Sequence, residues 1–157
     1  MSSDSIGLLR RMPIFGGLSN AALEHILERS EVSHFASEDF FFHEGDAAKS
    51  LFVLKEGSVI VEKLRKGEAI ELGRLHRGDC FGEMSLIDMQ PRSASVRALE
   101  ACEALEISIP SLHQLYKVDV EQYAMIMMNM GREVSRRLRK ADERLFQLES
   151  KLPELCS

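Results

Sequence analysis

The spacing of apolar and polar residues changes twice along this chain. In Ser19-Asn20-Ala21-Ala22-Leu23-Glu24-His25-Ile26-Leu27-Glu28, Leu23, Ile26 and Leu27 recur at steps of three and one. They share one face of a short predicted helix, with Ser19 or Asn20 as its cap. Pro13-Ile14-Phe15-Gly16-Gly17-Leu18 breaks any helix ahead of it. From Val32 to Ile109 the period falls to two. Val59 and Val61 face one way with Lys63, Ile70 and Leu72 alternate with Glu71 and Gly73, and Leu105, Ile107 and Ile109 alternate with Glu106 and Ser108. Gly45, Gly57, Gly67, Gly73 and Gly78 punctuate these runs, as in the short strands and tight turns of a sandwich or barrel. After Pro110 the helical period returns, first through Leu112 and Leu115 and then over a long stretch. Asp119 and Gln122 suit a capping box for that second helix. Along it Ala124, Met127, Gly131, Val134, Leu138, Ala141, Leu145, Leu148 and Leu152 alternate steps of three and four, a coiled-coil seam of about four heptads. Met127 and Gly131 suit packing on the sheet as well as a seam, whereas beyond Leu138 a symmetric partner helix is expected.

Composition narrows the class of protein. A chain of 157 residues suits one domain with flanking helices, burying roughly 70% of the surface its unfolded form exposes. Apolar residues make up 45% and charged residues 29%, an ordinary soluble balance with no run near the ~18 apolar residues of a membrane span. Arg10 and Arg11 follow a very short apolar run, the wrong order for a secretory signal, so a cytoplasmic location is expected. Cys80, Cys102 and Cys156 are too scattered for a disulfide framework or a paired zinc site and are expected as reduced thiols. His25, His34, His43, His76 and His113 show no metal-binding spacing, which disfavours a metal-dependent enzyme of the cupin type. No nucleophile elbow is present, Asp88 has no acid or base partner in sequence, and no catalysis is expected. A net charge of −5 argues against a nucleic-acid module. Arg132, Arg136, Arg137, Arg139 and Lys140 are read as solvated flanks of the long helix, balanced by Glu133, Asp142 and Glu143. Met125, Met127, Met128 and Met130 supply adaptable packing at its start.

The chemistry concentrates in Phe81-Gly82-Glu83-Met84-Ser85-Leu86, followed by Pro91-Arg92-Ser93-Ala94-Ser95-Val96. Gly82 lets backbone approach a ligand, and a helical turn over Glu83 to Ile87 would offer free N–H groups to an anion. Arg92 adds a planar cationic fork that grips two phosphate oxygens, and Ser85 and Ser93 add donors. A carboxylate beside a phosphate needs a partner that donates, such as a ribose hydroxyl, and this is the part Glu83 would play. The bland alternative is an ion pair between Glu83 and Arg92 that ties two loops together. An empty site is expected to pair these two groups or hydrate them, because an unpartnered buried charge costs about 3–5 kcal/mol. Cys80 and Met84 flank the turn as packing groups with no reactive role.

The two segments resemble the phosphate-binding cassette of cyclic nucleotide-binding domains, the family of the bacterial catabolite activator and the protein kinase A regulatory subunits. The resemblance runs from about Pro13 to Leu148 and implies an α+β fold: an antiparallel, jelly-roll-like β-roll with a short N-terminal helix and a long C-terminal helix. The expected division is 1–30 helical, 31–110 roll, 111–152 C-terminal helices with a dimer seam, and 153–157 tail. It also implies that Glu83 binds the ribose hydroxyl and Arg92 the cyclic phosphate, with Gly82, Met84, Ser85 and Ser93 in the cradle. Val61, Leu72 and Phe81 are the expected apolar walls, and the long helix is expected to close over the base. Relatives selecting cGMP often carry threonine after the arginine; the Ser93 hydroxyl is shared with cAMP-binding activators and leaves the choice open, with cAMP expected ahead of cGMP as a lean rather than a deduction. Only Pro153 to Ser157 follow the long helix, so no DNA reader is expected. The expectation is a homodimeric regulatory module, without catalysis or membrane attachment, that passes its ligand state to a protein partner. A dimeric interaction protein with a lost or altered ligand is the competing class.

Overall fold

Two four-stranded antiparallel sheets carry helices at both ends of the chain in a computed structural model that describes residues 3–155. Helices α1 (Ser3–Arg11) and α2 (Asn20–Glu28) flank a short 3-10 turn (Pro13–Phe15). The strands follow as β1 (Glu31–Phe35), β2 (Phe40–Phe42), β3 (Ser50–Glu56), β4 (Ser58–Arg65), β5 (Glu68–His76) and β6 (Cys80–Phe81). After the short helix α3 (Met84–Asp88) come β7 (Ser95–Ala98), β8 (Cys102–Ser108), α4 (Ile109–Val118) and α5 (Val120–Leu155). The strand orders are β1-β8-β3-β6 and β2-β7-β4-β5, the α+β roll that the periodicity and the resemblance implied.

The helix ends follow local chemistry. Ser19, rather than Asn20, caps α2, its Oγ accepting from Ala22 N at 3.2 Å. Asp119 Oδ1 accepts from Gln122 N at 3.3 Å at the head of α5. The other half of the expected box is absent: Gln122 Oε1 accepts from Ser19 N at 2.8 Å and joins α5 to the start of α2.

Two cores share one sheet. Leu23, Ile26 and Leu27 of α2 pack with Leu51, Val53, Leu105 and Ile107 of β3 and β8, Leu112 and Leu115 of α4, and Ile126 and Met130 of α5. Between the sheets lie Phe52, Leu54, Val59, Phe81, Val96 and Ala104. Strand β3 is therefore covered on both faces, and Leu51 to Leu54 are all buried rather than alternating. Alternation also fails in β4, where a register shift between Val61 and Glu62 buries Glu62 against Arg97, Nε to Oε1 3.1 Å. Ile70 and Leu72 on β5 remain exposed, and Ile109 opens α4 instead of ending a strand.

Helix α5 has two unlike halves. Ile126, Met130 and Glu133 are buried and Arg137 half-buried, a stripe that follows the helical period. Residues 138–154 are exposed throughout. Met127 packs partly against the core while Gly131 is open to solvent. The methionines divide likewise: Met130 is buried and Met128 exposed.

Candidate functional site

Strand β6 ends at Phe81, and the chain then turns through Gly82 at φ +86° before α3 begins. Two constraints make glycine necessary at 82. The left-handed conformation strains any side chain, and a Cβ would stand 2.5 Å from Arg92 Nη1. Helix α3 is a single short turn, closed by Met89 at φ +57° with its N–H on Ser85 O at 3.0 Å. The following loop is stitched to the β2–β3 connection: Arg92 N donates to Asp46 O at 2.9 Å, and Gly45 N to Arg92 O at 2.8 Å. Arg92 is thereby led under the ring of Phe42, with its Cζ 4.0 Å from the ring centroid.

Gly82, Glu83, Met84, Ser85, Arg92, Ser93, Val61, Leu72 and Phe81 all border one cavity of about 230 Å³. The structure thus brings every residue singled out in the sequence around a single space. The lining combines apolar groups from β4, β5 and β7, including Val61, Leu72, Leu75 and Val96, with the charged Arg74, Glu83, Arg92 and Arg137. Glu83 and Ser85 are buried, while Met84 and Ser93 are exposed at the rim.

The two charges of the cradle do not pair with each other; each takes another partner within the chain. Glu83, 1% exposed, is held by Arg137 of α5, which also donates to Cys80 O at 3.0 Å. Arg92 instead donates through Nη1 to Gly82 O at 3.0 Å and through Nη2 to Ser50 O at 2.6 Å. Its Nε is buried without an acceptor among the described residues. The reason is geometric: α5 delivers a cation directly to Glu83, and the loop that carries Arg92 leads it toward the carbonyls of Ser50, at the start of β3, and Gly82, in the turn after β6. Burial pushes the Glu83 carboxyl above its ordinary range, and Arg137 pulls it part of the way back. Burial likewise lowers the Arg92 guanidinium, against which the carboxylate of Glu106 acts most strongly, ahead of Asp46 and Glu83.

Arg137 is the site residue that the sequence reading placed elsewhere, among solvated flanks. Its signal was present but masked by the seam beside it: Ile126, Met130, Glu133 and Arg137 recur at steps of four, three and four, an apolar stripe that ends in an i,i+4 charge pair. Arg136 on the neighbouring face pairs with Glu133, and Arg132 donates to Asn129 Oδ1 at 3.3 Å. Phe42, Gly73 and Arg74 also line the cavity without having been singled out. Cys80, beside the site, is buried with its thiol pushed up to about 12, chiefly by desolvation. Cys156 lies outside the described residues. Among those residues no group of three His, Cys, Asp or Glu could hold a metal ion, and no helix is long and apolar enough to cross a membrane.

Residues 32–119, the roll together with α4, match the sequence profile of the cyclic nucleotide-binding domain. The chain belongs to that family. It is 33% identical over 132 residues to the cAMP-activated global transcriptional regulator CRP of Salmonella typhimurium, covering 83% of this chain and 61% of that protein. The chain therefore spans about three-fifths of the length of the curated relatives it matches. Among solved structures, the catabolite activator protein of Thermus thermophilus is 29% identical with a TM-score of 0.75, covering 87% of this chain and 63% of that one. A cyclic nucleotide-binding domain from Methylobacillus flagellatus shares the fold with a TM-score of 0.80 at 22% identity, over 92% of this chain and 82% of that one. Within the family, the cavity between α3, β7 and the β4–β5 hairpin contains the cassette on which the resemblance rested.

Proposed function

We propose that this chain binds a cyclic nucleoside monophosphate, cAMP ahead of cGMP, in the cavity bordered by Glu83 and Arg92, and acts as a regulatory module. The observation that carries the proposal is Arg92: a buried guanidinium with an orphaned Nε, on the wall of a largely apolar cavity whose opposite charge is a buried carboxylate. A buried donor without acceptor is costly, and a phosphate oxygen would satisfy it. A ribose hydroxyl can donate to Glu83, and Val61, Leu72 and Leu75 offer apolar surface to a purine. Charge-assisted hydrogen bonds of about 1.5–3 kcal/mol each would supply a large part of the ~8 kcal/mol of a micromolar site. The order of cAMP and cGMP is supported by the cAMP-activated CRP relative.

The output runs through α5. Glu83 is tied to Arg137, so a ligand that engages Glu83 competes with the bond holding this helix to the cassette. Ligand and helix position are then linked, provided the ligand favours one arrangement over the other. A homodimer through the exposed half of α5 is supported by the uncovered seam at Leu138, Leu145, Leu148 and Leu152. Charge pattern adds a direction: with Leu138 and Leu145 at the a positions, Arg144 falls at g and Glu149 at the following e, which attract in a parallel in-register pair and repel in the antiparallel one. The same proposal includes a protein partner that receives the signal, a cytoplasmic setting, and a working division at 1–30, 31–110, 111–152 and 153–157.

A dimeric interaction protein with an altered ligand is the second reading, favoured by one fact: Glu83 and both Nη of Arg92 already have partners inside the chain. Calorimetric titration with cAMP, cGMP and cyclic dinucleotides separates the two. Micromolar binding of cAMP is expected, with cGMP weaker; absence of binding by all of them would leave the interaction protein.

A further inference from the structure

Arg92 forms part of the wall of two cavities. One is the ligand cavity; the other, about 330 Å³, opens on its far side and is lined by Asp46, Lys49, Ser50 and Glu106 together with phenylalanine rings. We infer that Glu106, assisted by Asp46, is a positioning residue that holds the Arg92 guanidinium back from the ligand cavity and so sets how tightly the site takes an anion. This inference rests on the reading of that cavity as a cyclic nucleotide site.

Three observations support it. First, Ser50 links the two groups: its carbonyl accepts from Arg92 Nη2 at 2.6 Å while its hydroxyl donates to Glu106 Oε1 at 2.6 Å. Glu106 is thus fastened to the residue that receives Arg92. Second, the anchor is rigid. Glu106 lies in β8, which pairs with β1 on one side and β3 on the other, where it stands opposite Phe52. Third, Glu106 enters no ion pair within 4.0 Å among the described residues, so its charge is not already neutralised by a close cation. Asp46 is less available, since its Oδ2 accepts from His43 N at 2.9 Å. Lys49 shares the rear cavity and offsets part of the acidity.

The consequence runs against the usual expectation for a residue behind a binding site. An acid behind Arg92 offsets the positive field that the guanidinium projects into the ligand cavity, and it favours the withdrawn position in which both Nη are spent on carbonyls. Removing its charge while keeping its shape would free Arg92 for a phosphate. The group acts on a buried arginine, so added salt screens its effect far less than that of a surface charge.

Glu106→Gln makes the test, because glutamine still accepts from the Ser50 hydroxyl. Calorimetry with cAMP is run on the full chain, on E106Q and on E24Q, the last removing one exposed acid from α2, each at about 0.1 M and about 1 M salt, where the screening lengths are about 10 Å and 3 Å. E106Q is expected to bind cAMP roughly three- to tenfold more tightly than the wild type, with most of the gain kept at high salt, and E24Q to match the wild type. Unchanged or weaker binding by an E106Q that melts like the wild type would overturn the inference. Should E106Q melt below the titration temperature, Asp46→Asn repeats the test, with a smaller gain expected and no gain counting against the inference. A wild type that binds no cyclic nucleotide would instead remove the reading on which it rests.

Discussion

Arg92 and Arg137 reach the same cavity from different elements and are held in different ways. Arg92 comes from a loop stitched to the roll, is buried, and gives its two Nη to backbone carbonyls. Arg137 comes from the last turn of α5 that touches the roll, is about one-third exposed, and gives its charge to the carboxylate of Glu83. Ser50 O stands at the head of β3, between β8 and β6 in its sheet, and moves only when the sheet moves, so Arg92 belongs to the less movable part of the site. A side-chain ion pair at the end of a packed helix breaks when the helix shifts, so Arg137 belongs to the movable part. One arginine thus suits recognition and the other transmission.

Replacing each arginine should break this contrast if it is wrong. Arg92→Glu is expected to lower cAMP affinity at least ~100-fold by calorimetry, since it removes a charge-assisted donor set and puts a repelling charge in its place. Arg92→Lys keeps the charge but not the fork and should lose roughly tenfold. Undiminished affinity in both would sink the assignment of Arg92 to the phosphate.

Truncation before Leu138 isolates the exposed half of α5. Light scattering should report a monomer where the full chain is a dimer, while the melting temperature of the roll stays within a few degrees, because residues 138–154 are exposed and contribute no residue to either core cluster. A dimer that survives truncation rejects the seam.

Arg137→Met keeps the length of the side chain and deletes its charge. Affinity for cAMP should change less than roughly tenfold, far less than for Arg92→Glu, while hydrogen exchange rises in α3 and along α5 near Glu133. An effect as large as that of Arg92→Glu would erase the division between recognition and transmission.

The smallest expected effect is one of pH. Burial raises the Glu83 carboxyl above its ordinary value, so the folded chain binds this proton more tightly than the unfolded one. Its contribution to stability is therefore fullest below the unfolded value and is lost as pH rises through the folded one. In denaturant unfolding, the stability of the wild type relative to Glu83→Gln should fall as pH increases across that window. Arg137→Met should steepen the fall, because Arg137 is the main group pulling the carboxyl back. A pH-independent difference would mean that Glu83 is not buried as the structure has it.

Much of this molecule was legible in the residue pattern, for reasons that are local. Period-two runs separated by glycines predict strands, Ser19 can cap the helix after it, and a cassette whose residues are neighbours in the chain comes together whatever else packs around it. What failed involved distant partners. Ile70 and Leu72 alternate as a buried strand does, yet the β4–β5 hairpin leaves them exposed because the second sheet has no layer over that end. Gln122 could have closed a capping box on Asp119, but Ser19 N, far away in sequence, is nearer.

By itself, the sequence determined the sheet-and-helix order, the family cassette and the cavity-lining set from Val61 to Ser93, since each depends on residue type at short spacing. Only the tertiary structure decided which charges meet. A coiled-coil seam and a core-facing stripe run side by side on α5, and choosing between them requires knowing where the roll ends. That end falls at Arg137, which is why Glu83 pairs with the long helix and Arg92 is left to the carbonyls of Gly82 and Ser50.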